Sequence, residues 1–175
     1  ALYEVKKMLQ EAQKDNYMRG IVECYRCMAN IYLTQDNYQL AYDNFKKTIA
    51  ITEENNIADI NLPSYYASFA QSAVDLKRWD EAKEALEKGL SLAQTDYQAF
   101  TTRKAYALYY IKKGQLSEAW KYIQDIEKLF MQNKDMATYL IGLYYLKETY
   151  YSAAGQYSEA LKMVDVMMND STSSR

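Results

Sequence analysis

Lys113-Gly114-Gln115-Leu116-Ser117-Glu118-Ala119 decides how this chain is read, because its pattern returns twice and in part a third time. The other copies are Ala154-Gly155-Gln156-Tyr157-Ser158-Glu159-Ala160 and Lys77-Arg78-Trp79-Asp80-Glu81-Ala82, with a weaker one at Asp36-Asn37-Tyr38-Gln39-Leu40-Ala41. The alanines that close the copies, Ala41, Ala82, Ala119 and Ala160, lie 41, 37 and 41 residues apart. Such an interval marks a protein built from stacked supersecondary units. Four residues after each alanine stands Phe45, Leu86, Ile123 or Val164, and four further on Ile49, Leu90, Glu127 or Met168. That spacing draws one face of a helix. Twelve residues before each alanine comes Ala29, Ala70, Ala107 or Glu148, followed three later by Tyr32, Ala73, Tyr110 or Tyr151. Each unit therefore reads as helix, short turn, helix.

Composition agrees with an all-α chain. One proline and five glycines in 175 residues are too few for the turns of a sheet protein of this length. The net charge is −2, and the basic residues stand in pairs such as Lys46-Lys47 and Lys112-Lys113 rather than in blocks, so a nucleic-acid stripe is not expected. No stretch approaches the roughly 20 apolar residues that cross a bilayer. There is no histidine, which removes the commonest general base and metal ligand, and the glycines never cluster into a phosphate loop. Cys24 and Cys27 stand three apart inside a predicted helix without a second pair or a histidine, and read as two buried or half-buried thiols rather than a redox or metal pair. The segment is expected to be non-enzymatic, with no catalytic residues, no metal and no cofactor.

The repeated pattern resembles the tetratricopeptide repeat: small residue, aromatic, glycine before an aromatic, alanine, then an aromatic or aliphatic residue. Gly114 and Gly155 match the family's glycine and Trp79 its aromatic position, whereas Asp36 replaces the glycine and Glu148 the small residue. The resemblance implies a right-handed superhelical solenoid of antiparallel helix pairs, with about four repeats and a leading half repeat. The domain is expected to span 1–175: a second helix of a truncated repeat at 1–16, repeats at 17–56, 57–97, 98–134 and 135–170, and a frayed tail at 171–175. Ala1, Val5 and Leu9 repeat the second-helix ladder, so the chain reads as beginning within a repeat, as an excised fragment would. The apolar face of that first helix, drawn from Leu2, Val5, Met8 and Leu9, is then expected to be partly exposed and to allow self-association.

In this family the first helix of each unit lines a groove that binds extended peptides. Carried over by position, the groove candidates are Glu23, Arg26 and Asn30, then Ser64 and Gln71, then Lys104, and lastly Tyr145 and Thr149. Arg26 and Asn30 occupy two positions that chaperone-binding members use to grip a terminal carboxylate. Ser68, Thr101 and Ala105 stand where the remaining donors would be, so that clamp is not expected. Tyrosine is the outlier of the composition, at 19 residues. Tyr32, Tyr38, Tyr110, Tyr151 and Tyr157 fall at packing positions, and adjacent pairs such as Tyr65-Tyr66 point about 100° apart, one inward and one to another face. The expected function is a protein- or peptide-binding repeat domain, the sensory or regulatory part of a larger bacterial signalling protein such as a sensor histidine kinase. The alternative is a constitutive scaffold. Its partner would be a protein, a peptide or a neighbouring domain, with no nucleic acid and no membrane insertion. Its place would be periplasmic for a sensor domain and cytoplasmic otherwise.

Overall fold

The computed structural model describes residues 1–173, with side chains through residue 169. Among the described residues every regular element is a helix, and the chain divides into two compact units, Ala1–Ala93 and Gln94–Arg175. The first unit holds α1 (Leu2–Lys14), α2 (Met18–Thr34), α3 (Tyr38–Glu54), α4 (Leu62–Asp75) and α5 (Trp79–Leu92). The second holds α6 (Asp96–Lys112), α7 (Leu116–Gln132), a 3-10 helix (Lys134–Tyr139), α8 (Leu140–Ala153) and α9 (Tyr157–Ser173). Helices pack in consecutive pairs, α2 on α3, α4 on α5, α6 on α7 and α8 on α9, and within the first unit α3 also packs on α4 and α1 on α2. This is a helical-repeat arrangement. The fraying expected near the C-terminus falls on 171–175, of which the side chains and the backbone of 174–175 lie outside the described residues.

One backbone device closes most of the pairs. Asn16, Asp36, Asn56, Lys77, Gly114 and Gly155 all have positive φ, between 48° and 72°, and each stands two residues beyond the end of a helix. The next residue's N–H then reaches back into the last turn: Asn37 N–H to Tyr32 O at 2.9 Å, Arg78 N–H to Ala73 O at 2.8 Å, Gln115 N–H to Tyr110 O at 2.9 Å, Gln156 N–H to Tyr151 O at 2.8 Å. A left-handed residue at this position satisfies carbonyls that the helix end would leave unpaired. Asp36, Lys77, Gly114 and Gly155 are one repeated position, so the resemblance's glycine marks a conformation that three residue types adopt here. Lys77 lacks the short polar side chain that eases this conformation, and Lys77→Gly is expected to stabilise the chain by about 1 kcal/mol. Gly114→Ala should cost about the same, although nothing stands within 4 Å of the added Cβ, because the penalty is in φ alone. Thermal melts of the two variants, shifting in opposite directions by about 2–4 °C, check both.

The repeated small positions are the buried ones. Ala29, Ala41, Ala82, Ala107 and Ala119 are wholly inaccessible, and Ala70 nearly so. Their lack of bulk lets paired helices approach, while Phe45, Leu86 and Ile123 fill the space one turn on. Buried hydroxyls on the same faces are satisfied locally: Thr48 donates to Asn44 O at 2.9 Å, Thr52 to Thr48 O at 2.7 Å and Thr102 to Gln98 O at 3.0 Å. Glu127, the polar exception on the ladder, pairs with Lys147 at 2.8 Å. The tyrosines divide differently from the expectation. Tyr42, Tyr65, Tyr106 and Tyr109 are buried, Tyr32, Tyr38, Tyr110 and Tyr151 are half-buried, and Tyr157 is 68% exposed. Tyr157 opens α9, and among the described residues only α8 packs on that helix substantially, leaving the ring's side uncovered.

Candidate functional site

Gly20, Glu23, Cys24 and Cys27 follow the i, i+3, i+4, i+7 spacing and form one stripe of α2. That stripe is the wall of a pocket of about 670 Å³ in the first unit. α1 supplies the opposite wall through Val5, Met8, Glu11 and Ala12, with Asp15 just beyond its end, and the link before α4 closes one end with Ala58, Asp59, Ile60 and Asn61. α1 has no buried residue of its own: Leu2, Val5 and Leu9 are half-covered, and Met8 is 59% exposed. Its apolar side is therefore only partly covered, and part of it lines this pocket. Gly20 lets the walls close in, since a Cβ there would run into the Tyr17 ring and stand 3.3 Å from Ala12 Cβ.

A hydrogen-bonded chain fixes the polar side. Arg26 donates from Nε and Nη2 to Glu23 Oε2, at 2.8 and 2.7 Å. Glu23 Oε1 lies 3.2 Å from the Tyr65 hydroxyl, which also reaches Asp59 Oδ2 at 2.8 Å. Asp59 Oδ1 accepts from Asn61 N–H at 2.8 Å, and Arg19 donates to Ala58 O at 3.2 Å, tying the link to α2. Tyr65 is buried among these carboxylates; burial, then the bond to Asp59 and the negative charge of Asp59 and Glu23, push its hydroxyl far above the usual phenol range. Burial pulls the Arg26 guanidinium down, but the Glu23 bond and charge outweigh it and hold the guanidinium above its ordinary value. The pocket thus combines apolar walls with four carboxylates, Glu11, Asp15, Glu23 and Asp59, against the single guanidinium of Arg19 on its lining.

Of the eight groove candidates, the structure joins Glu23 and Arg26 directly. Asn30 is exposed farther along α2, and Gln71 is half-buried on α4. Ser64, at the start of α4, has a buried hydroxyl oxygen without a hydrogen-bond partner. In the second unit Lys104 is half-buried, with its ammonium pushed below the usual lysine range by burial and 5.9 Å from the Phe100 ring centroid. Tyr145 is exposed, and Thr149 donates to its carbonyl at 2.9 Å. The contributions of α1 and the 58–61 link were not anticipated from sequence. The stripe of 20, 23, 24 and 27 was the one signal that could have pointed to the wall.

A second concavity of about 590 Å³ lies along α3, α4 and α5, edged by Glu53, Glu81, Glu84 and Glu87. Tyr66 donates to Glu53 at 2.6 Å and Tyr42 donates to Glu81, so two of its carboxylates are engaged internally. Among the described residues no group of three His, Cys, Asp or Glu side chains is arranged to hold a metal ion, and no helix is long and apolar enough to cross a membrane. No protein-family model and no curated protein matches this chain.

Proposed function

We propose that this chain is a non-catalytic binding domain of the tetratricopeptide kind, a right-handed superhelical solenoid whose first unit receives a peptide segment of a partner protein. The observation that carries this reading is the pocket between α1, α2 and the 58–61 link. Its volume is that of a site for a few side chains, and its lining is apolar with a carboxylate surplus. The favoured segment carries a lysine or arginine next to apolar side chains: the apolar part covers Val5, Met8 and Ile60, and the cation faces Glu11 and Asp15. These two carboxylates are exposed, whereas Glu23 is already paired with Arg26. A regulatory role within a larger bacterial signalling protein, such as a sensor histidine kinase, accords with such a site, which binds without transforming its ligand.

Titration with fluorescently labelled peptides that differ only in charge tests the site. Basic, apolar-flanked peptides should bind in preference to their acidic counterparts, and more weakly as salt is raised. Replacing Glu11 and Asp15 together by lysine should weaken the basic peptides about tenfold, which corresponds to about 1.4 kcal/mol. Equal binding of basic and acidic peptides, or an unchanged affinity in the doubly substituted chain, would overturn the assignment.

A further inference from the structure

Tyr97, Thr101 and Lys104 follow the i, i+4, i+7 spacing and form one stripe of α6. α8 packs beside that helix, and its Gly142 is turned to the Phe100 ring, since a Cβ there would stand 3.1 Å from Phe100 Cζ. Tyr145 stands one turn along that side of α8, next to Ile141, and both are exposed. Tyr139, which ends the 3-10 helix, lies with its ring 4.7 Å from that of Tyr97 and 6.3 Å from that of Phe100. Tyr97 and Tyr139 are exposed as well. The second unit thus presents an aromatic and aliphatic face to solvent, with the Lys104 ammonium beside it. Lys121, Lys128, Lys147 and Lys162 of this unit each pair with a carboxylate, at 2.6–2.8 Å. Lys104 is half-buried and, among the described residues, pairs with none. Its Nζ lies 5.9 Å from the Phe100 ring centroid, at the outer limit of a cation–π contact, which does not replace an anion. Burial pulls the ammonium below the usual lysine range. A cation half removed from water without a counter-charge works against the fold, and packing alone would be served as well by an uncharged chain of the same length.

We propose that this face of the second unit docks an acidic segment of a partner protein, in which a glutamate or aspartate side chain accepts from the Lys104 ammonium while a neighbouring apolar side chain packs on Tyr97, Tyr139 and Tyr145. Charge complementarity selects the occupant. One ammonium matches one carboxylate, whereas a phosphate group, with close to two charges, calls for more donors than Lys104 supplies. The exposed rings add what the ion pair lacks: an apolar side chain laid over them excludes water, and a charge pair strengthens as water leaves. With one ammonium here against four carboxylates in the pocket of the first unit, this face is the weaker of the two sites, and the chain's preference for basic peptides stands.

Fluorescence anisotropy with two labelled, C-terminally amidated peptides provides the test; they are identical except for a glutamate or a glutamine between a leucine and a phenylalanine. The native chain should bind the glutamate peptide about tenfold more tightly, as expected of a hydrogen bond to a charged group. Lys104→Met should bind the two alike and melt no lower than the native chain, while Lys104→Arg keeps the preference. Tyr145→Ser should weaken both peptides by a similar factor. The comparison turns on Lys104, which does not line the pocket of the first unit. Equal binding of the two peptides by the native chain, a preference that survives Lys104→Met, or a Lys104→Met chain that melts several degrees lower would overturn the proposal. Carbodiimide coupling of the glutamate peptide to the native chain checks the contact without any substitution: the amide should form at Lys104 Nζ, and coupling confined to other lysines refutes the site.

Discussion

Ile123→Ala is expected to cost the second unit about 2–5 kcal/mol, the range for truncating a fully buried aliphatic side chain. Ile123 stands one turn after the anchor Ala119 on α7 and is wholly inaccessible. It belongs to a cluster with Phe100, Ala107 and Ile111 of α6, Ile126 of α7, Met136 of the 3-10 helix, and Leu143 and Leu146 of α8. Removing three carbons there loses transfer free energy and leaves a cavity, since Ala107 and Ala119 have no side-chain reach with which to collapse into it. Ile123→Val, which removes one methyl, should cost only about 0.5–1.5 kcal/mol. Met131→Ala on the same helix, at a side chain 83% exposed, should stay within about 0.5 kcal/mol. Urea unfolding in a Trp79→Phe background, followed by the fluorescence of Trp120, whose ring lies 4.9 Å from that of Tyr150, reports on this unit. A cost below about 1 kcal/mol for Ile123→Ala would mean that the cluster is not closed as the structure has it.

Tyr65→Phe should destabilise the first unit by about 1.5–3 kcal/mol at neutral pH, the worth of a buried hydrogen bond to a charged acceptor. The hydroxyl is the link between Glu23 on α2 and Asp59 before α4, and its loss leaves both carboxylates with one fewer partner in a half-buried setting. The same group makes stability depend on alkaline pH. Its folded pKa is raised, first by burial and then by Asp59, while an unfolded tyrosine ionises near about 10. Below about pH 9 both states keep the proton and this group leaves stability flat. Above about pH 10 the unfolded chain releases a proton that the folded chain retains, so unfolding becomes easier as pH rises. Tyr66, raised by burial and by its bond to Glu53, acts in the same direction. Unfolding free energies measured from pH 7 to 11 should therefore fall above about pH 10, with a slope lower by about one proton in Tyr65→Phe. Equal slopes in the native and substituted chains would remove Tyr65 from the linkage.

Much of the fold was legible because its determinants are local. A small residue twelve positions before an alanine, with an apolar side chain one turn beyond it, already states which faces of two successive helices must meet. Ala29 and Ala41, Ala70 and Ala82, and Ala107 and Ala119 are buried accordingly. The fourth copy departs where its residues do: Glu148 stands in the small position and is half-buried, and its carboxylate accepts from Ser152 at 2.9 Å. The last helix also leaves Tyr157, Leu161 and Met168 exposed, because periodicity tells which side of a helix is apolar but not whether a neighbour covers it.

What the sequence by itself determined is the succession of helices, the turns between them and the small and large positions of each interface, since these rest on helix periodicity and on left-handed residues at fixed offsets. Of the eight groove candidates, Glu23 lines the pocket and Arg26 is bonded to it. The pocket was decided by the tertiary structure alone. It joins α1, one stripe of α2 and the 58–61 link, with lining residues from Val5 to Asn61, 56 residues apart in the chain, whose relative placement no local spacing encodes. The Tyr65 hydroxyl meets Glu23 from 42 residues away for the same reason: a hydrogen bond between distant residues exists only once packing has brought their helices together.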